Sequence, residues 1–220
     1  MDPTAASPRH PGDPTGSTDP TGSTDAGRPS GLAEPSTSAA VGDGPFVVAL
    51  GGGHGLSASL RAVRRYAGAV TAIVSVADDG GSSGALRALM PDLPAPGDVR
   101  RCLGALSEDG SALGRVLEHR FADGELRGHA LGNLLLVALS EELGSFAAAV
   151  DEVAARVGAV GRVLPATCGP VDLCAWRSAP GSAGSSATPV AGQVAVQNAG
   201  GIYEVCLEPA APASPPEVGR

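Results

Sequence analysis

The chain has 220 residues, a formal net charge of −8, 43% apolar residues and only 3% aromatic ones. All its basic residues are arginines, and no basic stripe interleaves with aromatics, which argues against nucleic-acid binding. No run approaches the ~20 apolar residues a bilayer span requires, and no signal-peptide or transit pattern opens the chain, so a soluble, cytoplasmic protein without membrane insertion is expected.

Residues 1–44 are rich in Pro, Gly, Ser, Thr and Asp and contain almost no large apolar side chain, Leu32 and Val41 being the exceptions after Met1. Asp13-Pro14-Thr15-Gly16-Ser17-Thr18 repeats at once as Asp19 to Thr24. Such a segment buries too little apolar surface to offset its chain entropy, and a disordered tail is expected. It carries six acids against Arg9 and Arg28, hence −4 of the −8, and the remainder is only mildly acidic.

From Val47 to Leu50 there is no polar face, which predicts a parallel strand covered on both sides. Gly51, Gly52, Gly53 and Gly55 follow, then Leu56, Leu60, Val63 and Ala67 at helical spacing. A helix starting here directs free N–H groups and its positive dipole end at the loop, a geometry suited to phosphate. The pattern departs from G-x-G-x-x-G, since Leu56 stands where the third glycine would be, so a plain tight turn between strand and helix fits the residues too.

A second buried strand is predicted over Ala69–Val76, completing a right-handed crossover. It ends in Asp78-Asp79-Gly80-Gly81-Ser82-Ser83-Gly84, read as a loop. Asp78 lies 23 residues after Gly55, the spacing at which an acid often meets a ribose hydroxyl, and the ends of neighbouring parallel strands border one crevice. Two adjacent carboxylates there suit ribose hydroxyls or a divalent cation; a surface turn is the alternative. Asp98 is a candidate helix N-cap after Pro96-Gly97, and Arg100 or Arg101 is placed to face an anion or solvent. Leu113, Val116, Leu117 and Phe121 predict one helix, and Leu131 to Leu139 a buried one. His129 and Asn133, at i and i+4, are expected on one face near the start of the latter, bonded to backbone or to a ligand. Ser145 is an expected N-cap, Phe146, Val150, Val153 and Val157 mark its helix, and Gly158 is its expected C′ residue. Beyond residue 168 short strands are predicted at Val171–Trp176, Gln193–Val196 and Ile202–Leu207, around a loop at about 178–189. The four cysteines, Cys102, Cys168, Cys174 and Cys206, form no CxxC pair and no zinc spacing, so four reduced thiols, mostly buried or partly buried, are expected. No nucleophile–base pair stands out, and no catalytic residue is assigned.

Four blocks taken together, Gly51–Ser57, Val76–Gly84, Pro96–Leu103 and Gly128–Leu134, followed by Gly161–Thr167, closely resemble the gluconeogenesis factor family of the CofD-like group, which includes the 2-phospho-L-lactate transferases. The likeness is strong to residue 167 and weaker to about 209. It implies a Rossmann-like parallel sheet flanked by helices, with a β-rich extension after residue 168. The division it suggests is a tail (1–44), a nucleotide-binding domain (45–208, with an α/β core over 45–167) and a linker-like end (209–220). It implies a cytoplasmic, non-catalytic regulator that binds a UDP-sugar or related nucleotide and is linked to gluconeogenic growth, cell shape and cell-wall synthesis. Expected partners are that nucleotide, a second copy of the chain and cell-wall synthesis proteins. Two alternatives stand beside it: a 2-phospho-L-lactate transferase-type enzyme, and a nonfunctional truncated fragment. The implied nucleotide-binding residues are Gly52, Gly53, His54, Gly55, Asp78, Asp79, Ser82 and Asn133. No cofactor is required by the regulator reading; the transferase reading implies Mg2+ on Asp78 and Asp79. His54 stands where many family members carry threonine, and its ring is expected to turn to solvent. The family continues into a second glycine-rich strand–loop region that this sequence lacks, so an incomplete sheet is expected.

Overall fold

The computed structural model describes residues 43–178 and 187–210. The expected tail, except for its last two residues, and the linker-like end beyond residue 210 lie outside the described residues. Strand β1 (Phe46–Gly51), helix α1 (Gly53–Val63) and strand β2 (Ala69–Val74) form the predicted crossover. Helices α2 (Gly81–Leu89), α3 (Pro96–Leu106), α4 (Ala112–Leu117), α5 (Leu131–Leu143) and α6 (Phe146–Arg156) lead to strand β3 (Arg162–Pro165). Strands β4 (Val171–Ser178) and β5 (Ala187–Ala191), helix α7 (Gln193–Asn198) and strand β6 (Ile202–Pro209) complete the fold.

The described residues form two three-stranded sheets. The first is parallel, in the order β1-β2-β3, with Val47 opposite Val70, Ala49 opposite Ala72, and Ala72 opposite Val163. The second is antiparallel, in the order β5-β4-β6. The core lies on one face of the parallel sheet. Val70, Ala72, Val74 and Val163 pack with Leu56 and Leu60 of α1, Val99, Leu103 and Leu106 of α3, and Val150 and Val153 of α6. Both crossovers advance in the same direction across the sheet, so right-handedness puts their helices on that one side.

Several expectations need correction. β1 is not covered on both sides: Phe46, Val48 and Leu50 alternate outward and are 77%, 59% and 72% exposed. Ala67 packs on the core but lies beyond the end of α1. The segment after Gly80 is a helix, because small Gly and Ser residues let the start of α2 pack closely, and Ser82 and Ser83 are buried in its first turn. Asp98 does not cap its own helix; α3 begins at Pro96, for which its fixed φ is preorganised. α4 stops at Leu117, so Phe121 lies past it and Val116 is largely exposed. His129 precedes α5. Gln193–Val196 is helical, and part of the expected loop at 178–189 is strand β5; residues 179–186 lie outside the described residues. Ser145 does cap α6, its hydroxyl accepting from the Ala148 amide at 3.3 Å, and Gly158 follows with a φ of 62°.

Candidate anion site at converging helix N-termini

The glycine loop ends with α1 already capped. Asp98, 4% exposed on the first turn of α3, accepts the Gly53 amide on Oδ2 at 2.6 Å and the Arg101 guanidinium on Oδ1 at 2.7 Å. A side chain at Gly52 would place its Cβ 2.5 Å from Asp98 Oδ2, so glycine is required there by the approach of a carboxylate. The first i→i−4 bond of α1 runs from Leu56 to Gly52, which leaves the His54 and Gly55 amides without an intrahelical partner. Both residues are exposed, His54 as expected.

The two acids of the Asp-Asp-Gly-Gly segment part company. Asp78 Oδ1 accepts the Gly80 amide at 3.0 Å, and its Oδ2 would lie 2.7 Å from a Cβ on Gly97. Asp79 Oδ1 accepts the Val194 amide at 2.9 Å, which fixes the start of α7. The arrangement therefore does not fit a divalent ion shared by the pair, and among the described residues no group of three or more His, Cys, Asp or Glu side chains surrounds such a position.

Ser82 joins the predicted residues into one network. Its hydroxyl accepts from the Ala130 amide at 3.3 Å and from Asn133 Nδ2 at 3.0 Å, and lies 3.2 Å from His129 Nδ1. With both lone pairs used, the hydroxyl proton is left for His129 Nδ1, which places the imidazole proton on Nε2. Asn133 Oδ1 accepts Arg100 Nε at 3.0 Å, and Arg100 reaches the Leu117 carbonyl at 3.4 Å and pairs with Glu118. Arg100 and Asn133 are each 1% exposed. Burial pulls the Arg100 guanidinium below its ordinary value, and the hydrogen bond to Glu118 opposes that. A half-satisfied network here would be costly; this one joins the first turn of α2, the middle of α3 and the first turn of α5.

These contacts enclose a cavity of about 160 Å3 bordered by Asp78, Ser82, Ser83, Arg101, Arg120 and Asn133. The N-terminal turns of α2, α3 and α5 all meet it, and α3 begins beside Ser83, whose hydroxyl any side chain on Gly97 would strike. Helix N-termini carry partial positive charge, so three of them with arginines favour an anion. A whole drug-sized ligand takes 300–1,000 Å3, so a cavity of this size suits a phosphoryl group or carboxylate rather than an entire nucleotide. Larger hollows lie elsewhere, one of about 450 Å3 between α1, α3 and the start of α4, where arginines are mixed with Glu108, Asp109 and Glu118.

Asp78, Ser82 and Asn133 are thus brought together. Gly52, Gly53, His54 and Gly55 are not among the residues bordering the cavity, the Gly53 amide being bonded to Asp98, and Asp79 turns to α7. Arg120 escaped sequence reasoning; it enters through an isolated bridge to Ala130, and nothing in its neighbourhood signals that pairing. Asp98 was readable as a cap, but its partner is 45 residues away, which helix patterns do not reveal.

Fold and site together define a parallel-sheet α/β protein with an anion-favouring cavity at the carboxyl ends of its strands, the position at which open sheets of this kind bind ligands. The chain belongs to the CofD family: the family described as 2-phospho-L-lactate transferase CofD matches residues 47–220. It is similar to a "Putative gluconeogenesis factor" of Mycobacterium leprae, 54% identical over 129 residues, which cover 56% of this chain and 35% of that protein. It is also similar to a gluconeogenesis factor of Halalkalibacterium halodurans, 49% identical over 122 residues, covering 55% of this chain and 38% of that protein. The crystal structure of a UPF0052-family protein from Bacillus halodurans superposes with a TM-score of 0.67 at 39% identity, covering 76% of this chain and 52% of that one. The chain thus spans little more than a third of the curated relatives and about half of the solved one. No helix among the described residues is long and apolar enough to cross a membrane.

Proposed function

We propose that the chain binds the phosphate-bearing part of a UDP-sugar or related nucleotide, and that it serves as a cytoplasmic regulator linked to gluconeogenic growth, cell shape and cell-wall synthesis rather than as a catalyst. The observation that carries the binding step is the convergence of the α2, α3 and α5 N-termini with Arg101 and Arg120 on one cavity. The regulatory role rests on the similarity to the gluconeogenesis factors. In this reading Ser82 and Asn133 orient the phosphate-facing turns, Asp78 lies within reach of a sugar hydroxyl, and the His54 and Gly55 amides serve a second phosphate oxygen. The test is calorimetric titration of UDP-N-acetylglucosamine into the 220-residue protein and its Arg120→Ala variant. Saturable binding weakened at least tenfold by the variant is expected; no heat from the unaltered protein overturns the reading.

The description of the matching family favours a second reading, a phosphoryl transferase. The separation of Asp78 from Asp79 speaks against a metal held by that pair. Mg2+-dependent release of GMP from a lactyl-diphosphoguanosine donor would establish transfer, and its absence would leave binding alone.

A further inference from the structure

The antiparallel sheet sets two cysteines face to face. Cys174 of β4 pairs directly with Cys206 of β6, and directly opposed residues of an antiparallel pair project from the same side of the sheet. The ladder also fixes the kind of pair. The Ala210 amide donates to the Pro170 carbonyl at 3.1 Å, and hydrogen-bonded pairs between antiparallel strands recur at every second residue, which brings Cys174 and Cys206 to a hydrogen-bonded position. The Leu173 carbonyl agrees with this register, since it accepts from Gly192 on the opposite side of β4. The irregularity in this ladder lies further along, at Trp176/Arg177.

Cα atoms at such a position stand about 5.5 Å apart, inside the roughly 4.4–6.8 Å that a disulfide spans. Their Cβ atoms also stand about 5.5 Å apart, against about 3.8 Å in a disulfide, so a bond here draws the two strands together. A bond formed against that resistance is readily reduced, unlike one that staples a fold. Both cysteines are free and half-buried, within reach of a small oxidant. Cys102, by contrast, is fully buried and Cys168 is exposed. Glu208 Oε1 accepts from the Cys206 thiol at 4.0 Å. Desolvation, then the charges of Glu208 and Cys206, hold the Cys174 thiol above its ordinary value, so the two sulfurs share one small electrostatic environment. Strand β6 is the element a cross-link here affects most. It is an edge strand, paired with β4 alone among the described residues, and apart from Ile202 and Cys206 its residues are exposed.

We propose that Cys174 and Cys206 form a redox-sensitive dithiol, oxidised by a low-molecular-weight disulfide to a cross-strand bond that fastens β6 to β4 and is released again by thiols. The thiolate of one cysteine attacks a sulfur of the small disulfide, forming a mixed disulfide and expelling one small thiolate. The thiolate of the other cysteine then attacks the protein sulfur of the mixed disulfide, forming the Cys174–Cys206 bond and expelling the second. Two electrons pass from the cysteine pair to the oxidant, and the two cysteine protons end on the two small thiols. Neither cysteine borders the 160 Å3 cavity, so the pair stands or falls apart from the proposed ligand.

The test equilibrates the reduced 220-residue protein with glutathione disulfide, then alkylates it and maps the cysteines by mass spectrometry. The expected product is a monomer carrying one Cys174–Cys206 bond, with Cys102 and Cys168 outside it. In that product the β6 amides exchange about tenfold more slowly than in the reduced protein. An excess of reduced glutathione restores both free thiols and the original exchange. Cys206→Ser should stop at a mixed disulfide between Cys174 and glutathione and leave β6 exchange at its reduced rate. Two thiols left free in the unaltered protein, or glutathione mixed disulfides on both, overturn the proposal. So does a bond between other cysteines, a disulfide-linked dimer, β6 exchange unchanged by the bond, or a bond that reduced glutathione fails to open.

Discussion

Asn133 illustrates how a single polar side chain is held in the interior. Its amide donates to Ser82 and accepts from Arg100, so Asn133→Ala leaves the buried Arg100 Nε without its acceptor and removes one of the donors to the Ser82 hydroxyl. We expect a loss of about 1–3 kcal/mol, measured by urea denaturation. Glycines supply a contrast at the same scale. Gly97→Ala drives a methyl group into Ser83 Oγ and to 2.7 Å from Asp78 Oδ2, and should cost about 1–3 kcal/mol. Gly55→Ala meets nothing within 4 Å and sits in a helix, so it should be neutral or stabilise by up to about 1 kcal/mol. Cys102 gives a pH effect with a defined sign. Burial, and then Asp98, push its thiol from an ordinary 9.0 to about 12. Between those values the unfolded chain ionises and the native one does not, so stability falls as pH rises from about 9, by up to about 1.4 kcal/mol per pH unit from this group. That slope should vanish in Cys102→Ala. Native Cys102 should also resist iodoacetamide at pH 8 while exposed Cys168 reacts.

Among the helices, the start of α1 depends on another element and the start of α6 on its own sequence. Ser145 caps α6 locally, and Ser145→Ala should cost about 1 kcal/mol, felt mainly as faster amide exchange in the first turn of α6. Asp98 caps α1 from across the fold and restrains Arg101 as well. Asp98→Ala should therefore cost about 2 kcal/mol or more and loosen α1 and α3 together, which exchange measurements on the two helices would separate from a purely local effect. The same substitution frees the Gly53 amide, so any anion bound at α1 should bind more tightly in the variant. α7, whose Val194 amide donates to the Asp79 carboxylate, links the antiparallel sheet to the turn after β2.

At the scale of the whole molecule, the decisive asymmetry is that, among the described residues, helices dress the parallel sheet on one face. Its exposed side chains contribute little to the fold of this chain, so Val48→Asp with Leu50→Asp should shift stability by no more than about 0.5 kcal/mol per site and reduce concentration-dependent association in light scattering. A core residue of the same strand order behaves oppositely. Val70→Ala, at 2% exposure in the central strand, should cost about 2 kcal/mol or more through lost burial and the cavity left behind.

The sequence by itself determined the local order of the fold. Unbroken apolar runs located β1, β2 and α5, helical spacing located α1 and α6, and Ser145 with Gly158 marked the ends of α6, because these features depend on side chains a few residues apart. The family was legible for the same reason, its blocks being short and contiguous. Residues that look alike in sequence separated only in three dimensions. Val47 and Val48 are neighbours of one type, yet one faces the helical layer and the other solvent, since the pleat alternates and only tertiary packing says which face is covered. Asp78 and Asp79 read as a matched pair and are held by Gly80 and by Val194, 115 residues from Asp79. Asp98 reads as a cap for its own helix and serves α1 instead. Arg120 carries no local signal and reaches the cavity through its pairing with Ala130. The glycine loop, which reads as a phosphate cradle, has its first amide taken by a carboxylate; the cavity formed by three other helix starts came from long-range packing, which short-range patterns do not encode.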